Sequence, residues 1–441
     1  MAAVSFYTKG KHYEEDNSMT SYPQLSPEER CVVLAELREA FETYKAKNLK
    51  LTMARGIPGT EQVALSNPML DVLNSDSDCH SEDGMDCRSY GGLTGIMEAK
   101  QLFSKYMGVQ PEEMIVLGSS SLNFMYDCVA RAMLTGVLGS RQPWGKDEPV
   151  KFLCPVPGYD RHFAICQFLG IEMINIPMDE HGPDMDLVER LAAEDEHIKG
   201  IWCVPKYANP MGITYSDEVV RRLARLKPKA RDFRIFWDNA YAEHFVYEST
   251  HLLNILDECK QAGNPNMVYL FGSTNKITFP GAGVAFFAAS RENIAFTEKQ
   301  LAMQAIGWDK LNMLRHVLFL KDMDGIRKHM ARHAEILRPR FDTVLETLHR
   351  ELTPLDIGSF VKPAGGYFIT YIAPRGCAKR IVALCKEAGV VLTSAGATHP
   401  YGMDPDDSYV RIAPTYPKIE DLKTAIDIFC VAAKIAYLET L

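Results

Sequence analysis

The chain has 441 residues, 46% of them hydrophobic and 24% charged, with a formal net charge of -9. That length and apolar content support a large globular protein with more than one core. The acidic balance argues against a nucleic-acid or anionic-membrane surface, which would want a basic patch, and no apolar run reaches the roughly 18 residues of a membrane helix.

Residues 1 to about 25 are polar and irregular. Ser26 followed by Pro27 predicts a helix through Tyr44, with serine as cap and proline in the first turn. This segment, residues 1–50, is expected to pack with the C-terminal unit. The acidic, serine-rich block from Leu73 to Arg88 predicts an extended loop. Within it Cys79, His80 and Cys87 match none of the usual zinc spacings, so no metal is expected. Eleven cysteines lie singly from Cys31 to Cys430, with no CxxC pair and no secretory leader before them, which fits a cytoplasmic protein.

From Gly92 to about Leu270 short apolar runs alternate with helical patterns. Strands are expected at 115–117, 151–156, 171–177, 198–205 and 233–238, and helices near 120–138, from 160, at 185–193 and from 216. Such alternation predicts a mostly parallel sheet covered by helices on both faces, with ligands beyond the carboxyl ends of its strands. Val268 to Phe271 and Val284 to Ala288 predict two further buried strands flanking a hydroxyl-rich turn. A long helical stretch from Trp308 to Leu352 then leads into strands YFITYI, GVVLTS and YVRIAP with two more helices. The expected fold class is α/β: a large domain, residues 51–315, and a smaller α/β domain, residues 316–441.

The ends of the expected strands carry the chemistry. Gly118, Ser119 and Ser120 open a helix after the first strand, an arrangement that holds phosphate through amides, hydroxyls and the helix dipole; a plain serine cap is the ordinary alternative. Tyr159 follows the second strand, Asn209 and Pro210 follow IKGIWCVP, and Asp238 with Tyr241 ends FRIFWD. Singly these read as packing, a turn and a helix cap. Lys276, in FGSTNKITFPGAG, lies between two apolar runs, where desolvation lowers an amine's pKa and frees it for Schiff-base chemistry; a loop lysine is the alternative. A phosphate cradle, a ring, an amide, a carboxylate, a tyrosine and a buried lysine at successive strand ends are not explained together by those separate alternatives.

In this order the residues resemble those of the fold-type I pyridoxal-phosphate enzymes, specifically the aspartate aminotransferase superfamily, over nearly the full length. The most similar branch is bacterial, of aspartate and alanine–glyoxylate-like aminotransferases, related also to the effector part of MocR-type regulators. The resemblance implies pyridoxal 5'-phosphate bound covalently to Lys276, with Asp238 on the pyridinium nitrogen and Tyr159 stacked on the ring. It implies Asn209 and Tyr241 on the 3' oxygen, and Gly118, Ser119, Ser120 and Ser273 at the phosphate. In RSYGGLTGIMEAK it implies that Tyr90 reaches the phosphate of a neighbouring subunit, making a homodimer the catalytic unit; a surface Tyr-Gly-Gly turn is the alternative. Arg411, in DSYVRIA, corresponds to the arginine that takes the substrate α-carboxylate, and Gly56 to a glycine that permits close approach to substrate.

Two departures stand out. Relatives usually carry an arginine for the cofactor phosphate shortly after the lysine, whereas this chain reads Gly281-Ala282-Gly283-Val284. A second cation for a dicarboxylic substrate is not obvious; Arg55 and Arg161 are candidates by position alone, and either reads equally as a surface charge. The expected activity is therefore an amino-acid aminotransferase working by a ping-pong cycle, with aspartate and 2-oxoglutarate as the preferred pair. The alternatives are an aromatic or neutral aminotransferase, a β-lyase, or a ligand-sensing regulator domain; the stretch before Lys50 is short and insufficiently basic for a helix-turn-helix.

Overall fold

The computed structural model describes residues 21–441, so most of the polar arm expected at residues 1–25 lies outside the described residues. The first helix, Pro27–Lys45, starts at a closed capping box: the Glu29 amide donates to the Ser26 hydroxyl and the Ser26 amide donates to the Glu29 carboxylate.

Eight strands form one sheet in the order Met114–Leu117, Ala285–Ala288, Val268–Ser273, Arg234–Asp238, Ile198–Cys203, Lys151–Val156, Glu172–Asp179 and Gly182–Pro183. Neighbours from Val268–Ser273 through Glu172–Asp179 pair in parallel, whereas Ala285–Ala288 is antiparallel to both its neighbours. The exception follows from the connection: the chain leaves at Ser273 and returns at Ala285 without a crossover helix, and such consecutive strands pair antiparallel. The crossovers between parallel strands contain the helices Asp160–Phe168, Met185–Glu194, Asp217–Ala224 and Ile255–Gln261.

Side chains alternate between two cores. Val116, Leu153, Ile201, Ile235 and Leu270 enter one, and Ile115, Phe152, Trp202, Phe236 and Phe271 enter the other. Because both faces are covered, Met114–Leu117 and Ile198–Cys203 bury every residue, and the one charge among them, Lys199, is paired with Asp147 and Asp232.

A third core belongs to the C-terminal unit, built on the antiparallel strands Ser359–Phe360, Ile369–Ile372 and Tyr409–Ile412 with helices Ala378–Glu387 and Ile419–Leu438. Phe41 of the first helix joins this core, and Leu51–Thr52 pairs in parallel with Val390–Val391. The helix Met323–Leu352 serves both units, with Ile326 and Met330 in a core of the large sheet and Leu337 onward in the C-terminal core. The sequence places the boundary after residue 315; the cores change over between Met330 and Leu337. The 73–88 block is turn-rich, with an isolated His80–Asp86 bridge. Among the described residues no helix is long and apolar enough to cross a membrane.

Phe41 is the fully buried side chain of the first helix, flanked by the half-buried Val33, Leu34 and Leu37. Phe41→Ala is expected to cost about 3–5 kcal/mol, read as a lowered urea midpoint, with the helix released before the sheet in hydrogen exchange.

Candidate active site

The Lys276 turn is held on every side. The Thr274 amide donates to Val284 O and the Val284 amide donates back to Thr274 Oγ1, both at 2.9 Å, so one threonine ties the two arms of the connection. His316 Nε2 lies 3.0 Å from Thr274 Oγ1 and 2.8 Å from Thr278 Oγ1. Asn312 Nδ2 donates to the carbonyls of Ala282 and Gly283. The Tyr367 hydroxyl donates to Lys276 O at 3.3 Å and receives a bond from Gln62, which also meets His333. On this base the Lys276 amine sits 4.8 Å from the centroid of the Tyr241 ring. Burial lowers its pKa, and the Asp238 charge opposes part of that shift.

Asp238 is the last residue of a strand that is buried throughout, and is itself 3% exposed. His162 Nε2 lies 3.1 Å from its Oδ2, while Oδ1 is buried with no partner among the described residues. The imidazole is fixed by stacking on Trp202, with ring centroids 4.2 Å apart and planes within 9°. Tyr159 packs edge-on against the same imidazole at 4.9 Å. Burial pushes the hydroxyls of Tyr159 and Tyr241 up in pKa.

Arg411, on the strand Tyr409–Ile412, lies over the Phe368 ring at 4.7 Å. Its Nη1 donates to Asp160 Oδ1 at 2.9 Å and to Asn209 Oδ1 at 3.2 Å, and its Nη2 donates to Thr393 Oγ1 at 3.1 Å. Gly56 lines the cavity and also leaves room for a ring. A Cβ there would lie 2.1 Å from Phe368 Cζ, so the missing side chain is what admits the ring that carries Arg411.

Lys276, Asp238, Asn209, Tyr241, Tyr159, Arg411, Gly56, Arg55 and Arg161 all line one cavity of about 680 Å³. Gly118, Ser119 and Ser120 line an adjoining cavity of about 760 Å³, which shares Arg161. Ser120 caps the helix Ser121–Thr135 by position, yet its side chain makes no capping bond. Ser121 donates to Ser273 at 3.5 Å, and Gly283 packs so closely that a Cβ would lie 3.0 Å from Ser119 O. The cradle and the lysine turn are thus one assembly, and that glycine position has no room for an arginine. Tyr90 stands apart: it is 83% exposed and lines neither cavity. Its loop is clamped by Lys310, whose amine donates to Ser89 O and Gly91 O at 2.8 Å, and by Trp308, whose indole donates to Leu93 O. The ring is not packed on its own surface.

The aspartate amino-transferase family profile matches residues 25–441. The chain belongs to that family. The aspartate aminotransferase of Corynebacterium glutamicum is 42% identical over 393 residues, covering 89% of this chain and 90% of that protein. A crystal structure of an aspartate transaminase from C. glutamicum superposes with a TM-score of 0.93 at 40% identity, covering 96% of this chain and 100% of that one. The α-aminoadipate aminotransferase of Thermus thermophilus, solved with N-(5'-phosphopyridoxyl)-L-leucine, shares the fold with a TM-score of 0.70 at 20% identity over 95% of this chain and 96% of that one.

Aminotransferases of this family depend on pyridoxal phosphate, and the residues present fit that group. A buried carboxylate oxygen without a donor, a desolvated lysine and a helix start whose serine is not spent on capping are each costly or idle without a ligand. Sequence reading passed over His162, Asp160, Phe368 and Thr393. The first two were within reach, since PGYDRHF places both in the first helical turn after Tyr159. Phe368 and Thr393 come from distant segments and carry no local signal.

The histidines beneath the turn make stability depend on acid. Burial pushes His316 down to about 4 and His333 down to about 3, from an ordinary value of 6.5. Both are neutral in the fold but protonate near pH 6.5 when unfolded. Stability is therefore complete above about pH 6.5 and falls with pH toward the folded values, by about 1.4 kcal/mol per unit for each histidine. Urea midpoints taken between pH 7.5 and 4.5 are expected to show this slope, and His333→Gln to reduce it.

Proposed function

We propose that the chain is a pyridoxal-phosphate aminotransferase acting on L-aspartate and 2-oxoglutarate by a ping-pong cycle. The observation that carries the reading is the convergence of Lys276, Asp238, Asn209, Tyr241 and Arg411 on a single cavity. When bound, the cofactor supplies a ring that accepts the electron pair released as the substrate Cα–H bond breaks. The rest is the protein's part.

Lys276 holds the cofactor covalently through Nζ and, once released, moves the proton at the substrate Cα; its lowered pKa favours the free amine that both tasks need. His162 occupies Asp238 Oδ2, leaving Oδ1 to accept from a protonated ring nitrogen. Asn209 has its Oδ1 engaged by Arg411, so the function left to its side chain is to donate, suited to the 3' oxygen, where the Tyr241 hydroxyl also serves. Tyr159 stacks on the ring. Gly118, Ser119, Ser120 and Ser273 take the phosphate, with backbone amides and the helix dipole replacing the usual arginine.

Arg411 takes the α-carboxylate, and Arg55 and Arg161, on the wall of the same cavity, are the cations for the distal one. This pairing favours a dicarboxylic substrate over a neutral one. The exposure of Tyr90 on a clamped loop, with Phe168, Met303 and Ile306 also exposed, supports a homodimer in which Tyr90 completes the partner's phosphate site. All eleven cysteines are free, which supports a cytoplasmic location.

The purified protein is expected to show a visible cofactor band that L-aspartate converts to the near-ultraviolet band of the amine form. A visible band untouched by aspartate would keep the cofactor and discard the substrate. Lys276→Ala is expected to abolish multiple turnover without changing the melting temperature, and normal turnover in that variant would end the mechanism. Arg161→Leu or Arg55→Leu is expected to raise KM for aspartate by about tenfold while sparing a neutral amino acid, the pattern of a lost distal contact.

A further inference from the structure

Arg411 is not a vacant receptor. It is 8% exposed, and a guanidinium that buried needs a negative partner. Both Nη1 hydrogens are spent, one on Asp160 Oδ1 and one on Asn209 Oδ1, and one Nη2 hydrogen is spent on Thr393. Nε is buried without a partner among the described residues. The side-on edge of Nε and Nη2 is closed by the burial of Nε, and a carboxylate arriving end-on needs one hydrogen from each Nη atom, of which Nη1 has none left.

We propose that Asp160 is a resident carboxylate holding the substrate's place on Arg411, so that a substrate carboxylate binds by exchange with it. The proposal rests on the reading of Arg411 as the receptor for the α-carboxylate. Asp160 is built for this part. Its side chain is 33% exposed and lines the substrate cavity, so it is free to withdraw, unlike Asn209, which is buried. It is the first residue of the helix Asp160–Phe168, where the amide dipoles stabilise a carboxylate that has lost its cation. The next residue, Arg161, lines the same cavity.

Exchange sets a threshold for ligands. A neutral amide or ester gains nothing against a charged competitor, whereas a carboxylate that takes Arg411 bidentately outbids the single bond Asp160 makes. Asp160 therefore preserves the orientation of Arg411 between turnovers and screens what enters, at the expense of affinity. It acts through Arg411 and is a positioning and specificity residue.

The test is calorimetric binding of succinate, a non-reacting dicarboxylate, to the holoenzyme at constant ionic strength. Asp160→Asn keeps the shape and removes the competing charge, and is expected to bind succinate at least about tenfold more tightly, the scale of one hydrogen bond to a charged group. Asp160→Ser is the second variant should the first fail to fold. The gain is expected to vanish in an Arg411→Lys background. Equal or weaker succinate binding by Asp160→Asn, with melting temperature and cofactor spectrum unchanged, would overturn the exchange and leave Asp160 as a brace. An Arg411→Lys change that by itself leaves succinate affinity unaltered would instead remove Arg411 as the receptor.

Discussion

The site depends on a carboxylate kept in the protein interior with one oxygen unpartnered. Burying Asp238 at the end of a strand whose residues are all buried is unfavourable unless its oxygens find donors. The fold supplies one, and it does so through the sheet itself. Trp202 lies beside Phe236 in the parallel register of neighbouring strands, its indole stacks on His162, and His162 meets Asp238 Oδ2. Strand register therefore fixes the imidazole, and the imidazole fixes which carboxylate oxygen remains free. Shifting that register by one residue would turn Trp202 to the other face and dissolve the arrangement.

The first turn of the helix Asp160–Phe168 extends the same logic to the opposite wall. Tyr159, Asp160 and His162 come from four consecutive residues, and they reach respectively the imidazole edge, Arg411 and Asp238. One helix start thus connects the carboxylate of the large sheet to the arginine of the C-terminal unit. Arg411 has its own support within that unit: the ring of Phe368 lies beneath it, in space that Gly56 leaves open. Its bonds to Asp160 and Asn209, unlike the one to Thr393, cross from one unit to the other. These cross-unit bonds make the geometry of the cavity depend on how the two units meet, while the lysine turn is braced by both Asn312 and Tyr367.

Much of this was legible in the sequence because parallel α/β architecture puts function at strand ends. Alternating apolar runs and helices placed the sheet, and the residues after Leu117, Val156, Cys203, Asp238 and Ser273 marked the cavity wall. What stayed hidden required three dimensions. The closeness of Gly56 to Phe368 joins segments far apart in the chain, and nothing near Gly56 announces a ring. The pairing of Arg411 with Asp160 is equally nonlocal, and each residue alone reads as an ordinary strand or helix-start charge. The change of core inside Met323–Leu352 was obscured because a continuous helix keeps its periodicity whichever core it faces. His316, His329 and His333 fell on apolar faces, where a histidine sequence signal cannot separate a brace from a catalyst.

Two opposed influences act on the lysine at the centre. Burial drives the Lys276 amine toward its neutral form, and the Asp238 charge pulls it back toward the ammonium. Each is a different kind of effect. Desolvation belongs to the cavity walls and persists, whereas the pull of Asp238 lasts only while its charge has no nearer cation to spend itself on. A protonated ring nitrogen at Oδ1 would be that cation. The fold keeps Oδ1 available by giving the other oxygen to His162, so the carboxylate that tempers the lysine also presents an unfilled acceptor to the cavity.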